Sequence, residues 1–413
     1  MCDVGADPAD IRAAGCHDDP VADDEQPPAA PAPATQSLRT RRRRLSPVLT
    51  VILVTQLVVA ILTAGTVYVV VRQLDDELGP GLAIPHSGDD KPEADGPKEP
   101  LNILVMGSDD RSCAGCGIDG ESGGGGSDVT MLLHVSADRQ EAYGVSLPRD
   151  AIVDRPDCVD HEGEEIPGED AVLFNTAFAV GGPLCTVQLV ETLTGVFVDH
   201  FIVLDFRGFK EMVDAVDGVQ VCIPKEVRDE KHDIFLDAGT QELTGAQALD
   251  YVRERYTLSV TGDIGRMKRQ QAFVASMINK LLSANTLSQP TKVRNFLQAV
   301  VGSIQVDDEL DRVKDLADLA MQFRETGLSD IKFITVPIED YALDANRLQW
   351  TADADRLWQR IIADAPLGRG FSDSSISAAK PPSSQSPTPT AGATASVEQE
   401  QERADAQAAG LCA

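Results

Sequence analysis

Two groups of side chains in this 413-residue sequence are spaced for work on an anion. The first is Tyr251-Val252-Arg253-Glu254-Arg255, followed by Asp263-Ile264-Gly265-Arg266-Met267-Lys268-Arg269-Gln270-Gln271. In an extended segment Arg253 and Arg255 project to one side, and on a helix Arg266 and Arg269 are i,i+3 neighbours. That pair falls in the first turns of a helix, where free N–H groups and the macrodipole favour negative charge. Four guanidinium groups beside a helix N-terminus suit a diphosphate, because each can grip phosphate oxygens bidentately. The competing reading is a solvated basic face of an amphipathic helix. Such local density of arginine in so acidic a chain favours the anion site.

The second group is acidic. An apolar run over 102–106 ends in Gly107-Ser108-Asp109-Asp110-Arg111. A Gly-rich stretch, 117–126, leads to Ser127-Asp128-Val129-Thr130, and the run 142–147 ends in Pro148-Arg149-Asp150. Carboxylates at neighbouring strand ends can supply oxygens to a hard cation such as Mg²⁺, which takes one or two of them and fills its other positions with water or phosphate. Asp109 and Asp150 as simple turn or helix caps are the alternative.

The elements that must position these residues can be read from periodicity. Short β-branched runs at 102–106, 129–135, 142–147, 201–205, 219–223 and 331–336, each bounded by Gly, Pro, Asp or Ser, predict strands. Helices are predicted over 183–193, 209–216, 244–253 and 264–283, the last with Phe273, Val274, Met277, Ile278, Leu281 and Leu282 at a 3.6-residue period and Asp263 as its N-cap. Strands interleaved with helices imply an α/β fold, a layered α/β/α domain with a central mixed sheet. Ligands in such sheets collect at strand carboxyl ends, where Asp109, Arg149 and Asp150 lie.

Composition narrows the function. With 36 Lys and Arg against 66 Asp and Glu the formal net charge is −30, which excludes a general nucleic-acid binder. At 42% hydrophobic residues the chain can build a core. Residues 47–71 carry no charge and would reach roughly 37 Å as a helix, enough to cross a bilayer. Arg39 and Arg41 to Arg44 precede this segment, and Asp75, Asp76 and Glu77 follow it. The positive-inside rule then puts the N-terminus in the cytoplasm and the later residues outside the cell membrane. The segment is too long for the apolar core of a cleaved signal peptide. The expected organisation is a disordered acidic tail with a basic juxtamembrane end (1–45), a transmembrane helix (46–71), a linker (72–100), an extracytoplasmic domain (101–366) and a low-complexity tail (367–413).

Outside the membrane cysteines are expected to pair, and Cys113, Cys116, Cys158, Cys185 and Cys222 are candidates. Cys113–Cys116 is the pairing favoured, tying the loop insert, and Cys412 is left over near the tail end. A zinc site is disfavoured because Cys113-Ala114-Gly115-Cys116 has no second such pair. Gly123 to Gly126 lack the Gly-Lys-Ser/Thr of a phosphate-binding loop, and His161-Glu162 lacks the second histidine of a zinc-protease helix. His134, inside a strand, is expected to be surface-facing or hydrogen-bonded.

Taken together and in order, the strings NILVMGSDDR, SDVTMLL, SLPRD, FNTAFAVGGP, VDHFIVLDFRGFKEMVDAVDGVQVCIP, LTGAQALDYVRER and DIGRMKRQQAF behind one membrane span resemble the LytR–CpsA–Psr family, densely over 101–285. The resemblance implies a cell-envelope phosphotransferase. Such enzymes move a glycopolymer from a polyprenyl diphosphate carrier to a peptidoglycan hydroxyl, commonly the muramic acid 6-hydroxyl, leaving a phosphodiester link. It implies Mg²⁺, or Mn²⁺ in its place, held by Asp109 and Asp128. Arg149 would contact phosphate, Asp150 would be a base or organising carboxylate, and Arg253, Arg255, Arg266 and Arg269 would clamp the diphosphate with Gln270 beside them. The family usually has Arg before the second aspartate, where this chain has Gly126 and Ser127, and the insert 117–126 is long. Two other functions remain open: a polyprenyl diphosphate phosphatase with water as acceptor, and a membrane-anchored envelope regulator. The latter is weakened by an N-terminal region without any helix-turn-helix pattern.

Overall fold

Leu132, Met131 and Leu133 lie side by side in one strand yet enter different cores, and that alternation sets the architecture. A computed structural model describes residues 46–86, 91, 98–110, 125–255, 257–283, 286, 288–382 and 397–412. The acidic N-terminal residues 1–45, Cys113, Cys116 and all but the last residues of the Gly-rich insert lie outside the described residues.

The central sheet has seven strands: β1 (Leu101–Ser108), β2 (Ser127–Val135), β3 (Ala142–Leu147), β4 (His200–Leu204), β5 (Ile304–Val306), β6 (Ile331–Thr335) and β7 (Ile376–Ser377). Their spatial order is β5-β4-β1-β2-β3-β6-β7. β1 pairs parallel with β4 and β3 parallel with β6, while β2, β5 and β7 run antiparallel to their neighbours. The carboxyl ends of β1, β3, β4 and β6 therefore share one edge with the amino end of β2. The sheet is mixed and lies in an α/β fold, in accord with the sequence reading.

The helices are α1 (Pro47–Leu78), α2 (Thr176–Thr194), α3 (Phe206–Ala215), α4 (Gly245–Arg253), α5 (Asp263–Leu281), α6 (Pro290–Val301), α7 (Val313–Gln322) and α8 (Ala352–Ile362). On one face of the sheet Leu104, Met106, Leu132, Val145, Phe201 and Ile334 pack on Leu189 and Val190 of α2 and Leu357 and Trp358 of α8. On the other, Met131, Val135, Ile331 and Phe333 pack with Ala275 of α5. A further core joins α3, α4 and Phe273 of α5 to a ribbon formed by Val219–Ile223 and Gly239–Leu243. The predicted strand over 219–223 exists, but it belongs to this ribbon and not to the central sheet.

Sequence and structure differ at several places for identifiable reasons. α2 begins seven residues before Pro183, because Gly182 adopts φ +66° and lets two helical segments join across a kink. α5 begins at Asp263 itself, with Gly262 (φ +58°) as N-cap, because the Asp263 carboxylate turns to arginines instead of to the helix N–H groups. The packed region also continues past residue 366. β7 joins the sheet, Ala378 is buried, and after a helix at Val397–Ala408 residues Ala409, Leu411 and Cys412 are buried again. Cys412 is bonded to Cys222, and Cys158 to Cys185, so Cys412 is not left over.

The chain divides into two compact units, residues 1–61 and 62–413. The described part of the first is the start of α1. α1 is the one helix among the described residues long and apolar enough to cross a membrane, with a mean hydropathy of 2.4 in its most apolar window. It extends beyond the predicted 47–71 to Leu78, which packs on Val301, Val306 and Leu310.

Candidate functional site

The shared edge of the sheet gathers the acidic group. β2 and β3 are antiparallel with Thr130 opposite Leu147, so the start of β2 lies beside the turn that follows β3. Asp128 and Arg149 consequently meet, and an Arg149 guanidinium N–H donates to Asp128 Oδ1. Asp150, the next residue, has Oδ2 3.5 Å from Arg149 Nε. Asp109, just past β1, accepts at Oδ1 from the backbone N–H groups of Gly125 (2.9 Å) and Gly126 (2.8 Å).

α4 and α5 bring the arginines. A capping box starts α4, with Gln247 Oε1 accepting from the Thr244 N–H at 3.1 Å, and its far end presents Arg253. The chain then extends, so Glu254 turns inward while Arg255 turns to the site. Glu254 is buried and accepts from the N–H groups of Thr257 and Leu258, closing the loop that leads to α5. That loop lies tight on the first turn of α5, since a Cβ at Gly265 would fall 1.8 Å from Ser259 Oγ. In α5 Arg266 pairs with Asp263 one turn back, at 2.6 Å.

The result is one array. Asp263 Oδ1 also receives Arg255 at 3.3 Å, Arg255 lies 3.9 Å from Asp150 Oδ2, and Arg266 lies 3.9 Å from Asp128 Oδ1. Asp128, Arg149, Asp150, Arg255, Asp263 and Arg266 thus form a continuous charged network at the sheet edge and the N-terminus of α5. Burial lowers the Arg266 pKa, with Asp263 and Asp128 opposing the change. At Arg149 desolvation also acts downward, but Asp128, Asp150 and Asp263 outweigh it and the pKa rises. Both guanidinium groups keep their charge at neutral pH. The buried Nε groups of Arg149 and Arg266 have no hydrogen-bond acceptor among the described residues.

Other expected residues make different contacts. Arg269 is fully buried; its guanidinium donates to the carbonyls of Glu254 and of Ala409, and lies 3.6 Å from the Glu254 carboxylate. Arg253 lies over the Phe206 ring, 5.4 Å from its centroid. Gln270 donates to the Val252 carbonyl at 3.2 Å. Its neighbour Gln271 ties α5 to the sheet through Ser146 Oγ and Thr335 Oγ1, both at 2.9 Å. His134 is buried between Asn102 and Asp364.

For a metal, Asp109 and Asp128 offer hard oxygens at adjoining strand ends, the protein share Mg²⁺ usually takes when phosphate and water complete its shell. No group of three His, Cys, Asp or Glu able to hold a metal occurs among the described residues. The donor set fits a metal bound jointly with a phosphate ligand and not one held by protein alone.

Two residues of the site escaped the sequence reading in their roles. Asp263 was expected as a cap, yet it bridges two arginines. Arg347 was not anticipated; it enters from the hairpin Ile338–Tyr341 and Asp344–Trp350 and lies 3.4 Å from Asp150 Oδ1. No local pattern in the sequence marks it, because only the fold brings that hairpin to Asp150.

Residues 84–361 match the family model described as the LytR_cpsA_psr family. The probable cell wall biosynthesis protein LcpB of Corynebacterium glutamicum is 34% identical over 247 residues, covering 58% of this chain and 55% of that protein. LcpA of the same organism, a cell wall biosynthesis protein, is 29% identical over 337 residues, covering 74% and 63%. The polyisoprenyl-teichoic acid–peptidoglycan teichoic acid transferase TagU of Enterococcus faecalis is 31% identical over 221 residues, covering 53% and 65%. The chain spans less than two thirds of the length of each. A solved LytR-Csp2A-Psr enzyme from Actinomyces oris shares the fold, with a TM-score of 0.51 at 20% identity over 68% of this chain and 96% of that one.

Proposed function

From the premise that this chain belongs to the LytR–CpsA–Psr family, we propose that it is a transferase that moves a glycopolymer from a polyprenyl diphosphate to a hydroxyl of peptidoglycan, the muramic acid 6-hydroxyl. The observation that carries this reading is the array of Arg149, Arg255 and Arg266 around Asp128, Asp150 and Asp263, at strand carboxyl ends and a helix N-terminus. The TagU relative, by name a transferase from a polyisoprenyl carrier to peptidoglycan, supports the same substrate classes.

In the proposed reaction the acceptor oxygen attacks the phosphorus that bears the sugar. Its proton leaves to a carboxylate, a new O–P bond forms, and the bond from that phosphorus to the bridging oxygen breaks. Polyprenyl phosphate departs and the glycopolymer stays on a phosphodiester link. Negative charge gathers on the phosphoryl oxygens and the leaving group. Arg149, Arg255 and Arg266 are preorganised by their carboxylate partners to meet that charge without rearranging at the moment of reaction. Asp150, held between Arg149 and Arg255, is the carboxylate proposed to take the proton. Mg²⁺ held by Asp109 and Asp128 would neutralise phosphate charge. α1 is proposed to anchor the protein in the cell membrane with its N-terminus in the cytoplasm and the catalytic domain outside, from the arginines at 39 and 41–44.

The test is transfer in vitro, using the full chain in detergent, a lipid-linked oligosaccharide and peptidoglycan fragments, with Mg²⁺ and with EDTA. A Mg²⁺-dependent adduct is expected. Release of phosphate into water without an adduct would replace the ligase with a phosphatase.

A further inference from the structure

Inside the network the charges balance: Arg149, Arg255 and Arg266 face Asp128, Asp150 and Asp263. A diphosphate ester carries more than one negative charge, so a balanced array attracts it weakly unless a further cation is added. Arg347 is such a cation. Its NH1 lies 3.4 Å from Asp150 Oδ1, and its Nε lies 3.9 Å from Asp344, a carboxylate on the exposed part of the same hairpin. Both contacts are longer than a charge-assisted hydrogen bond of about 2.7–2.9 Å, and neither is bidentate.

The backbone beneath this side chain is fixed. The Leu348 N–H reaches the Asp150 carbonyl at 3.5 Å, Leu348 forms a bridge with Ala151, and the Leu348 side chain is buried in the core. Arg347 therefore has an anchored base, a side chain 37% exposed to water and loose partners on either side. A side chain so placed can exchange Asp150 for an incoming oxyanion without moving the fold.

We infer that Arg347 is a donor-binding residue at the rim of the site, which leaves Asp150 to pair with an oxyanion of the lipid-linked donor. This deepens the diphosphate reading above and rests on it. The oxyanion belongs either to the diphosphate or to an anionic group on the glycopolymer.

The experiment compares wild type, Arg347→Gln and Arg347→Lys as full chains in detergent. One arm measures Kd for a sugar-free isoprenyl diphosphate with Mg²⁺. Two arms measure transfer from donors on one lipid, the first with a neutral oligosaccharide and the second with a phosphate-bearing one. Arg347→Gln is expected to raise KM by about tenfold, with kcat within about twofold, and Arg347→Lys to recover part of the loss. A rise in every arm assigns the oxyanion to the diphosphate, and a rise confined to the phosphate-bearing donor assigns it to the glycopolymer. Unchanged KM and Kd in all arms, or a loss confined to kcat, overturns the inference. If wild type binds the bare diphosphate but transfers nothing, the ligase reading fails, and Kd for the two lipid-linked donors, measured in place of KM, decides Arg347. If wild type binds no diphosphate, both fall.

Discussion

The buried guanidinium of Arg269 donates to the backbone carbonyl of Ala409 at 3.1 Å, 140 residues further along the chain. The same C-terminal stretch reaches the loop before α5, where the Ala408 carbonyl accepts from the Val260 N–H at 3.2 Å and from Ser259 Oγ at 3.1 Å. The end of the chain thus supports the segment that carries Asp263 and Arg266 to the site.

Arg269 is accordingly expected to act on stability. Arg269→Met removes a cation 3.6 Å from the fully buried Glu254 carboxylate and should cost about 3–5 kcal/mol. Adding Glu254→Gln should return part of that loss. Urea unfolding of both singles and the double variant measures the coupling; strict additivity would show that the pair does not interact.

Arg266 should behave differently in assay. It faces Asp128 and Asp263 beside the proposed phosphate, so Arg266→Lys removes the planar fork but keeps a charge. A fall in kcat of roughly 10²-fold is expected, typical for loss of one preorganised donor. Steady-state transfer rates, with circular dichroism to confirm folding, provide the check.

The Cys222–Cys412 bond closes a span of 190 residues. Cys412→Ser should lower stability by about 2–4 kcal/mol, and wild type under dithiothreitol should match the untreated variant once the Cys158–Cys185 contribution is measured separately with Cys185→Ser. Thermal melts with and without reductant read this directly. Equal melting temperatures for wild type and Cys412→Ser would refute it.

His200 provides a pH signature. Desolvation alone lowers its pKa, but the Asp307 carboxylate at 3.1 Å outweighs this and the folded-state value is raised above 6.5. The folded protein then binds the proton more tightly than the unfolded chain does. The stabilisation is fully present below pH 6.5 and is lost as pH rises through the raised folded value. Unfolding free energy should drop as pH rises above about 6.5 in wild type, and this component should vanish in His200→Asn.

Much of the site could be read from the chain because its parts are local. The turn after 142–147 holds Arg149 and Asp150, and Arg255 and Arg266 lie eleven residues apart in one short stretch. Strand 142–147 was readable to its ends because all six residues are buried between two helical layers. Partner choice was harder. Arg266 and Arg269 are equivalent by helical spacing, yet the first meets Asp128 and Asp263 while the second meets Glu254 and Ala409. No spacing rule separates them, since the difference comes from which element packs on each.

Residue types and their order determined the α/β class, the apolar segment of α1 and the family, because periodicity, composition and short motifs are carried by neighbouring residues. Tertiary structure alone decided three other matters. It sent Arg269 inward and brought Arg347 to Asp150 across 197 residues. It also joined Cys412 to Cys222, turning an apparent tail into a support of the site. Each of these depends on contacts between distant segments, whose energies arise only when the sheet and its helices have closed around them.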